Sequence, residues 1–378
     1  MVNVSSVRLA VPEAAAEEII RENLIEAVLG SQKKLAYIHA GAGYGKTTLL
    51  SQIAASIRNV VWLTLDAESD VYSYLNILSE ALRQTFPDYD FKASEYLPFE
   101  GNSNFITILA DAFISSIEKL SKKFMLILDD IHTIEDAQTR KLISYIIKYK
   151  PESIRLCFGS REAPWQELIP LRVRGSILEL TQKELTFTKD EVAQILGFTD
   201  DNIYSITEGW PLAIGSFKML LENGVSLDDV LIQGNEDLHA YLFCECISHL
   251  PPQMVNFLKS SACFEELDPQ MLNAVLDAKN SKLILENLVS RNIFTIKTNS
   301  GHYRYHSLFR EYLLEIGEFS TNLLLLHKAA QYFYNKQEYS KAADYAILLE
   351  NKEMLQQVIL AGYKDYIRNG SFSELRVW

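Results

Sequence analysis

Lys46 is the residue whose setting most clearly announces chemistry. Residues 40–47, Ala40-Gly41-Ala42-Gly43-Tyr44-Gly45-Lys46-Thr47, fit the A/G-x4-G-K-S/T pattern of a phosphate-cradling P-loop, with Ala40 where the strict pattern has Gly. Gly41, Gly43 and Gly45 let the backbone wrap close to phosphate with its N–H groups turned inward. Lys46 then neutralises the β- and γ-phosphates, and the Thr47 hydroxyl is a Mg²⁺ ligand. The helix that starts near Lys46 adds its positive end. Tyr44 and Thr48 fall in the same turn and join the nucleotide-binding set. A glycine turn with a chance lysine is the bland reading. The apolar run before the loop and the helical run after it argue against that.

Two further elements carry chemistry. Residues 124–128 are a continuous apolar run that delivers Asp129 and Asp130. At the carboxyl end of a parallel strand such a pair lies beside a P-loop. Asp129 is expected to hold Mg²⁺, directly or through water, and Asp130 to orient the attacking water; a solvated acidic turn is the alternative. Residues 154–159 end on Ser160-Arg161. A guanidinium there can sense the γ-phosphate or stabilise charge during its transfer, although a lone Arg at a strand end also suits a surface. The residues that would carry catalysis are therefore Lys46, Asp130 and Arg161.

These residues need a scaffold. Residues 35–39, 60–65, 124–128, 154–159 and 178–180 read as strands, alternating with helical runs at 47–57, 73–85, 105–120 and 139–148. Continuous apolar strands, each followed by a helix, predict a parallel α/β sheet covered on both faces. This P-loop nucleotide-binding domain spans 1–180. Helices at 189–196 and 210–222 predict a small all-helical domain over 181–238. Helices at 236–249, 253–262, 269–274 and 281–290 then lead into a hairpin of 292–297 and 302–305, with a turn at Asn299-Ser300-Gly301. Helices followed by a hairpin predict a winged-helix domain over 239–318. Residues 319–378 alternate small and aromatic residues at helical spacing, as in Ala329-Ala330, Tyr332-Phe333 and Ala342-Ala343. That is either a plain helical hairpin or the start of a TPR-like repeat array, and an array needs about three repeats. The chain ends on Trp378 within a helix-like run, which suggests the N-terminal part of a longer architecture.

Bulk numbers narrow the class. A length of 378 residues predicts two or three domains, and 48% hydrophobic with 22% charged residues fits a globular protein with a full core. No apolar run approaches the roughly 18 residues of a membrane span, so no membrane partner is expected. Residues 1–12 read as a leader into the first domain, not a signal peptide. Cys157, Cys244, Cys246 and Cys263 have no metal-knuckle spacing and fit reduced thiols in a cytoplasmic protein. Net charge is −13, and no cluster of Lys and Arg stands out along the chain. Direct DNA binding by this chain is not expected.

The segments GAGYGKTTLL (41–50), LILDDIH (126–132), EGWPL (208–212) and YRYHSLF (303–309) occur in this order. Together they resemble the STAND class of P-loop ATPases, and within it the maltose-regulon activator (MalT-like) branch of large LuxR-type bacterial transcription regulators. The resemblance runs from about Ile20 to the end. It implies a switch that rests closed with ADP and opens and self-associates with ATP, with an inducer, small molecule or protein, acting through the helical repeats. Ile19-Ile20-Arg21-Glu22 is similar to the motif near the adenine, so Arg21 becomes a nucleotide-site residue. Pro211, in Gly209-Trp210-Pro211, matches the proline that packs on the base. His306 matches a winged-helix histidine that contacts the β-phosphate of ADP. Each residue has a plainer reading: Arg21 on a surface helix start, Pro211 as a first-turn proline, His306 as a core histidine. Trp62 and Trp210 read as core. Family members continue to a longer sensor and a C-terminal helix-turn-helix, neither of which is complete here.

Two other readings stay open. An AAA-like ATP-driven enzyme would want a sensor arginine in the small domain, where Gly209-Trp210-Pro211 offers a proline. A non-hydrolysing adaptor would not need the Asp129-Asp130 pair. Turnover separates the three: slow for a switch, fast for a motor, none for an adaptor.

Overall fold

A computed structural model of the chain describes residues 6–12, 19–66, 70–222, 250–298, 301–317 and 319–369, together with 224, 226, 227, 247 and 248. Contacts divide it into two units. The first comprises residues 1–200 and 209–218, the second 201–208 and 219–378.

The first unit is built on five strands: β1 (Leu35–His39), β2 (Val60–Thr64), β3 (Phe124–Asp129), β4 (Ile154–Ser160) and β5 (Ile177–Thr181). Their order is β2-β3-β4-β1-β5, and every pairing is parallel. β1 and β3 are buried along their whole length, as continuous apolar strands with both faces covered must be. β5, expected as a last edge strand, lies at the edge and is only partly buried. The intervening helices are α1 (Glu22–Gly30), α2 (Lys46–Ala55), α3 (Val71–Thr85), α4 (Phe105–Glu118) and α5 (Ala137–Tyr149). Asp70 and Asp136 start α3 and α5 by accepting the backbone N–H of Ser73 and Thr139. A single apolar cluster from β1 to β4 and α3 to α5 fixes the sheet as a rigid platform. Because all strands run the same way, the P-loop after β1, the acidic pair after β3 and Arg161 after β4 emerge at the same edge of the sheet.

The short helix α6 (Ile169–Val173) precedes β5; α7 (Gln182–Leu185) and α8 (Lys189–Leu196) follow it. Thr181 with Glu184 and Thr188 with Glu191 form reciprocal capping boxes that set where these two helices begin. Helix α9 (Asp201–Thr207) belongs to the second unit, whereas Gly209 and the first turns of α10 (Pro211–Glu222) belong to the first.

The second unit has helices at Pro252–Ser261, Pro269–Val275 and Ser281–Ser290, then strands β6 (Thr295–Lys297) and β7 (Tyr303–Tyr305), then a helix at Ser307–Glu315. β6 and β7 pair antiparallel, which completes a winged helix. Helices Phe319–Asn335, Tyr339–Leu348 and Lys352–Asn369 follow, each packed on the next. Ala329, Ala330, Ala342, Ala343 and Ala346 are buried where these helices meet, and the Phe333 and Tyr345 rings stack at 5.7 Å. Small residues allow the close approach, and the stacked rings fill the remaining space. Most of the helix expected at 236–249, with Cys244 and Cys246, lies outside the described residues. So do Asn299-Ser300 of the expected turn and the end of the chain.

Candidate functional site

The loop before Lys46 takes its shape from two glycines. Gly43 and Gly45 have φ of +73° and +72°, in the left-handed region, and Gly45 is the residue that caps α2. The turn aims the first N–H groups of α2 and the Lys46 side chain into one space. Lys46 is 7% exposed, and its ammonium donates to the Gly41 carbonyl at 2.8 Å. Burial, then the nearby Arg161 charge, disfavour its protonated form; Asp129 and Asp130 partly offset this, and its pKa is lowered to about 8. A buried cation in that condition gains from any anion that reaches it.

Asp129 arrives from β3 and is 1% exposed. The Thr47 hydroxyl donates to its Oδ2 at 2.6 Å, and the Asp130 N–H donates to its Oδ1 at 3.0 Å. Burial and the neighbouring Asp130 charge nevertheless leave its pKa raised. Asp130 has a left-handed φ of +55°. Lys46, Thr47, Asp129, Asp130 and Arg161 thus converge as expected. Thr47 and Asp129, already in contact, form the kind of small oxygen set that Mg²⁺ uses beside phosphates. A buried carboxylate with raised pKa fits a role beside a cation.

Next to the loop lies a cavity of about 190 Å³ lined mainly by apolar groups, including Ile19, Tyr44, Leu185, Phe187, Ile195 and Pro211. Gly45, Thr48 and Arg21 also border it. Arg21 is neither a surface residue nor a free cation. Its guanidinium donates to the carbonyls of Leu185 at 2.9 Å and Glu184 at 2.8 Å, pairs with Glu191 at 3.4 Å and covers the Phe187 ring. It therefore shapes one wall by tying α7 and α8 to the segment before α1. Gln52 fixes that segment on the other side, accepting from the Arg21 N–H and donating to the Ile19 carbonyl. Pro211 opens α10, as a first-turn proline can, and also borders the cavity.

His306 is placed in the interior of the second unit, 1% exposed, at the start of the helix after β7. Its Nε2–H donates to the Thr207 carbonyl at 3.1 Å, and its ring stands edge-on to Phe294. Burial lowers its pKa.

Three supporting residues escape the sequence reading. Gly159, on β4, leaves the room that Asp129 occupies: a Cβ there would fall 2.3 Å from the Asp129 Oδ1. A glycine inside an apolar strand is the signal for such an approach. His132 follows the acidic pair; its Nδ1 accepts from the Arg161 N–H at 3.4 Å and lies 3.8 Å from Asp130 Oδ1. The signal was a titratable residue in the same motif. Trp210 is fully buried, as expected of core, yet its indole N–H also donates to the Ala42 carbonyl at 3.2 Å. The Leu212 N–H donates to the Gly43 carbonyl at 3.1 Å, and a Cβ on Gly43 would meet Leu212 at 2.8 Å. Gly43 is therefore required by this protein contact.

One expectation is corrected. The chain does gather cations: Lys33, Lys34, Lys123, Lys150 and Arg155 line a cleft at the opposite end of the sheet. They come from the segments that enter β1, β3 and β4, so linear spacing hides them.

Residues 243–319 match the family model described as the MalT winged helix domain. Across 93% of the chain the sequence is 24% identical to the HTH-type transcriptional regulator MalT of Klebsiella pneumoniae, and to that of Cronobacter sakazakii. The chain resembles the MalT regulators along nearly its whole length. It spans 41% of the length of these MalT relatives. A Walker-type ATPase of Pyrococcus abyssi has a similar fold, with a TM-score of 0.58 at 14% identity, over 80% of this chain and 98% of that one. The MalT-like winged helix and the P-loop ATPase fold thus occur in one chain, as the motifs imply.

Proposed function

We propose that this chain is the ATP/ADP-binding switch of a signal-responsive transcription regulator. The single observation that carries the reading is the buried Lys46 beside Thr47, Asp129 and Arg161, with an apolar cavity of base-like character adjoining it. In this reading the loop N–H groups and Lys46 hold the phosphates, and the base enters the cavity between Ile19, Phe187 and Pro211. Thr47 and Asp129 hold Mg²⁺, which would neutralise charge on the β- and γ-phosphate oxygens when bound. Asp130 accepts a hydrogen bond from the attacking water, and Arg161 stabilises charge at the γ-phosphate. Hydrolysis is slow, and serves to reset the switch.

ADP belongs to the closed state, and ATP to an open state that self-associates. The inducer acts through the TPR-like helices. His306 holds the closed state by donating to a β-phosphate oxygen, which requires exchange of its bond to Thr207. DNA reading falls outside this chain, whose net charge is −13. No described helix is long and apolar enough to cross a membrane; the cytoplasmic setting follows from the regulator reading.

The test begins with the nucleotide released when the purified protein is denatured, expected to be ADP. His306→Ala should then raise the ADP dissociation constant roughly tenfold more than that for ATP, the size of a charge-assisted hydrogen bond. A lowered melting temperature with an unchanged ADP-to-ATP ratio would make His306 a core residue only and remove the clamp.

A further inference from the structure

Residues 207–212 form a short strap whose two ends are tied to different functional parts. At its first end, Glu208 is held by the winged helix. Arg304 donates to both of its carboxylate oxygens, at 3.0 and 2.7 Å. Ser307 donates to the same carboxylate twice, through its N–H at 2.9 Å and its hydroxyl at 2.6 Å. The neighbouring Thr207 carbonyl accepts from His306. Glu208 holds a left-handed φ of +48°, a conformation that a non-glycine residue keeps only when its surroundings demand it. Burial would raise its pKa; the Arg304, His306 and Ser307 contacts outweigh burial and lower it to about 2.

The second end is held by the P-loop unit. The Gly209 carbonyl accepts from Phe187 N–H at 2.9 Å, and a Cβ on Gly209 would lie 2.2 Å from the Phe187 oxygen. Trp210 and Leu212 donate to the carbonyls of Ala42 and Gly43 inside the phosphate loop. Between these anchors stands Pro211, whose ring fixes its own φ. Five anchored residues and a proline leave little slack. A shift of Glu208 must be absorbed at Gly209 or passed to Trp210 and the loop.

We propose that Glu208 is a positioning residue for the phosphate loop. Held by Arg304 and Ser307, it keeps residues 209–212 seated on Ala42 and Gly43, and its release loosens the grip on the nucleotide. The winged helix thereby acts on the nucleotide through the covalent strap, in addition to any direct contact by His306. This inference rests on the nucleotide-binding reading of the loop.

The test uses the full chain loaded with a fluorescent ADP analogue and chased with excess ADP. Glu208→Gln and Arg304→Met should each speed release about tenfold, the worth of one charge-assisted contact. The double variant should release no faster than the faster single one, because both break the same link. Ser261→Ala is the structural control. It removes a buried hydroxyl that meets Tyr305 at 2.7 Å in the winged helix and touches no part of the strap. It should lower the melting temperature and leave release unchanged. Release within twofold of the parent in both strap variants would overturn the proposal, as would equal acceleration in Ser261→Ala. If the Glu208 variant does not fold, Ser307→Ala decides by the same criteria, since it removes only one hydroxyl. Failure of the parent to bind the analogue would overturn the nucleotide reading itself, a result distinct from binding with unaltered release.

Discussion

The two ends of the parallel sheet both collect cations and put them to different use. At the carboxyl end, Lys46 stands beside the N-terminus of α2, where the helix also presents positive charge, and its pKa is lowered to about 8. At the amino end, the cations meet helix C-termini. Arg155 donates to the carbonyls of Val28, Leu29 and Ser31 at the end of α1, and Lys34 donates to that of Lys148 in the last turn of α5. Lys150 donates to Ile154 in the next strand; burial, then repulsion from Lys34 and Arg155, lower its pKa too. Carbonyl oxygens left over at a helix end are the natural partners of cations. The basic cleft thus closes the bottom of the sheet, while the P-loop end keeps cation and helix N–H groups aimed at one space. Charge alone does not make an anion site; the direction of the helix behind it decides.

The largest effect should separate these ends. Lys46→Ala should weaken ATP and ADP binding by roughly a hundredfold, since a charge-assisted contact in a partly dry site is lost. Lys150→Met should leave both dissociation constants within about twofold and lower the melting temperature by a few degrees, as loss of a half-buried cap would. Nucleotide affinity that fell with Lys150 and not with Lys46 would reverse the comparison.

A smaller effect sharpens what the carboxyl end requires. Gly159→Ala puts a methyl group where the Asp129 carboxylate lies, so the carboxylate must move. Nucleotide affinity should fall about tenfold in Mg²⁺ and much less in chelator, the size of one lost charged contact. Equal loss in both conditions would mean that Asp129 does not serve the metal.

The smallest effect is in pH. Free Lys46 deprotonates near pH 8, below its ordinary 10.5, and phosphate would raise that value again. Binding should therefore take up a proton as pH rises through 8, and affinity should decline above it. The sign for folding is opposite: the unbound chain binds fewer protons here when folded, so this group adds stability as pH climbs from 8 to 10.5. Titration calorimetry in buffers of different ionisation enthalpy at pH 8.5 should show the uptake. No proton exchange would place Lys46 outside the phosphate contact.

Much of this was legible from short-range pattern. The P-loop, the five strands and the residues that end β3 and β4 are each announced within a dozen residues, because strand and helix periods are local. What hid were contacts between distant segments. Trp210 reaches Ala42 across 168 positions and Arg21 reaches Glu184 across 163. A tryptophan in a motif reads equally as core, and here it is core that also holds the loop. The sequence leaves Arg21 as a nucleotide residue or a surface one, and the carbonyls that occupy it come from a capping-box segment that no spacing rule ties to it. The basic cleft is hidden for the same reason: its lysines are scattered along the chain and meet only because parallel strands begin at one edge.

The most direct test is a calorimetric titration of the nucleotide-free full chain with ADP and with ATP in Mg²⁺. The account predicts saturable binding of one nucleotide per chain, tighter for ADP, and weakened roughly a hundredfold by Lys46→Ala. No binding of either nucleotide to a folded chain, or binding undiminished in the Lys46 variant, would contradict it.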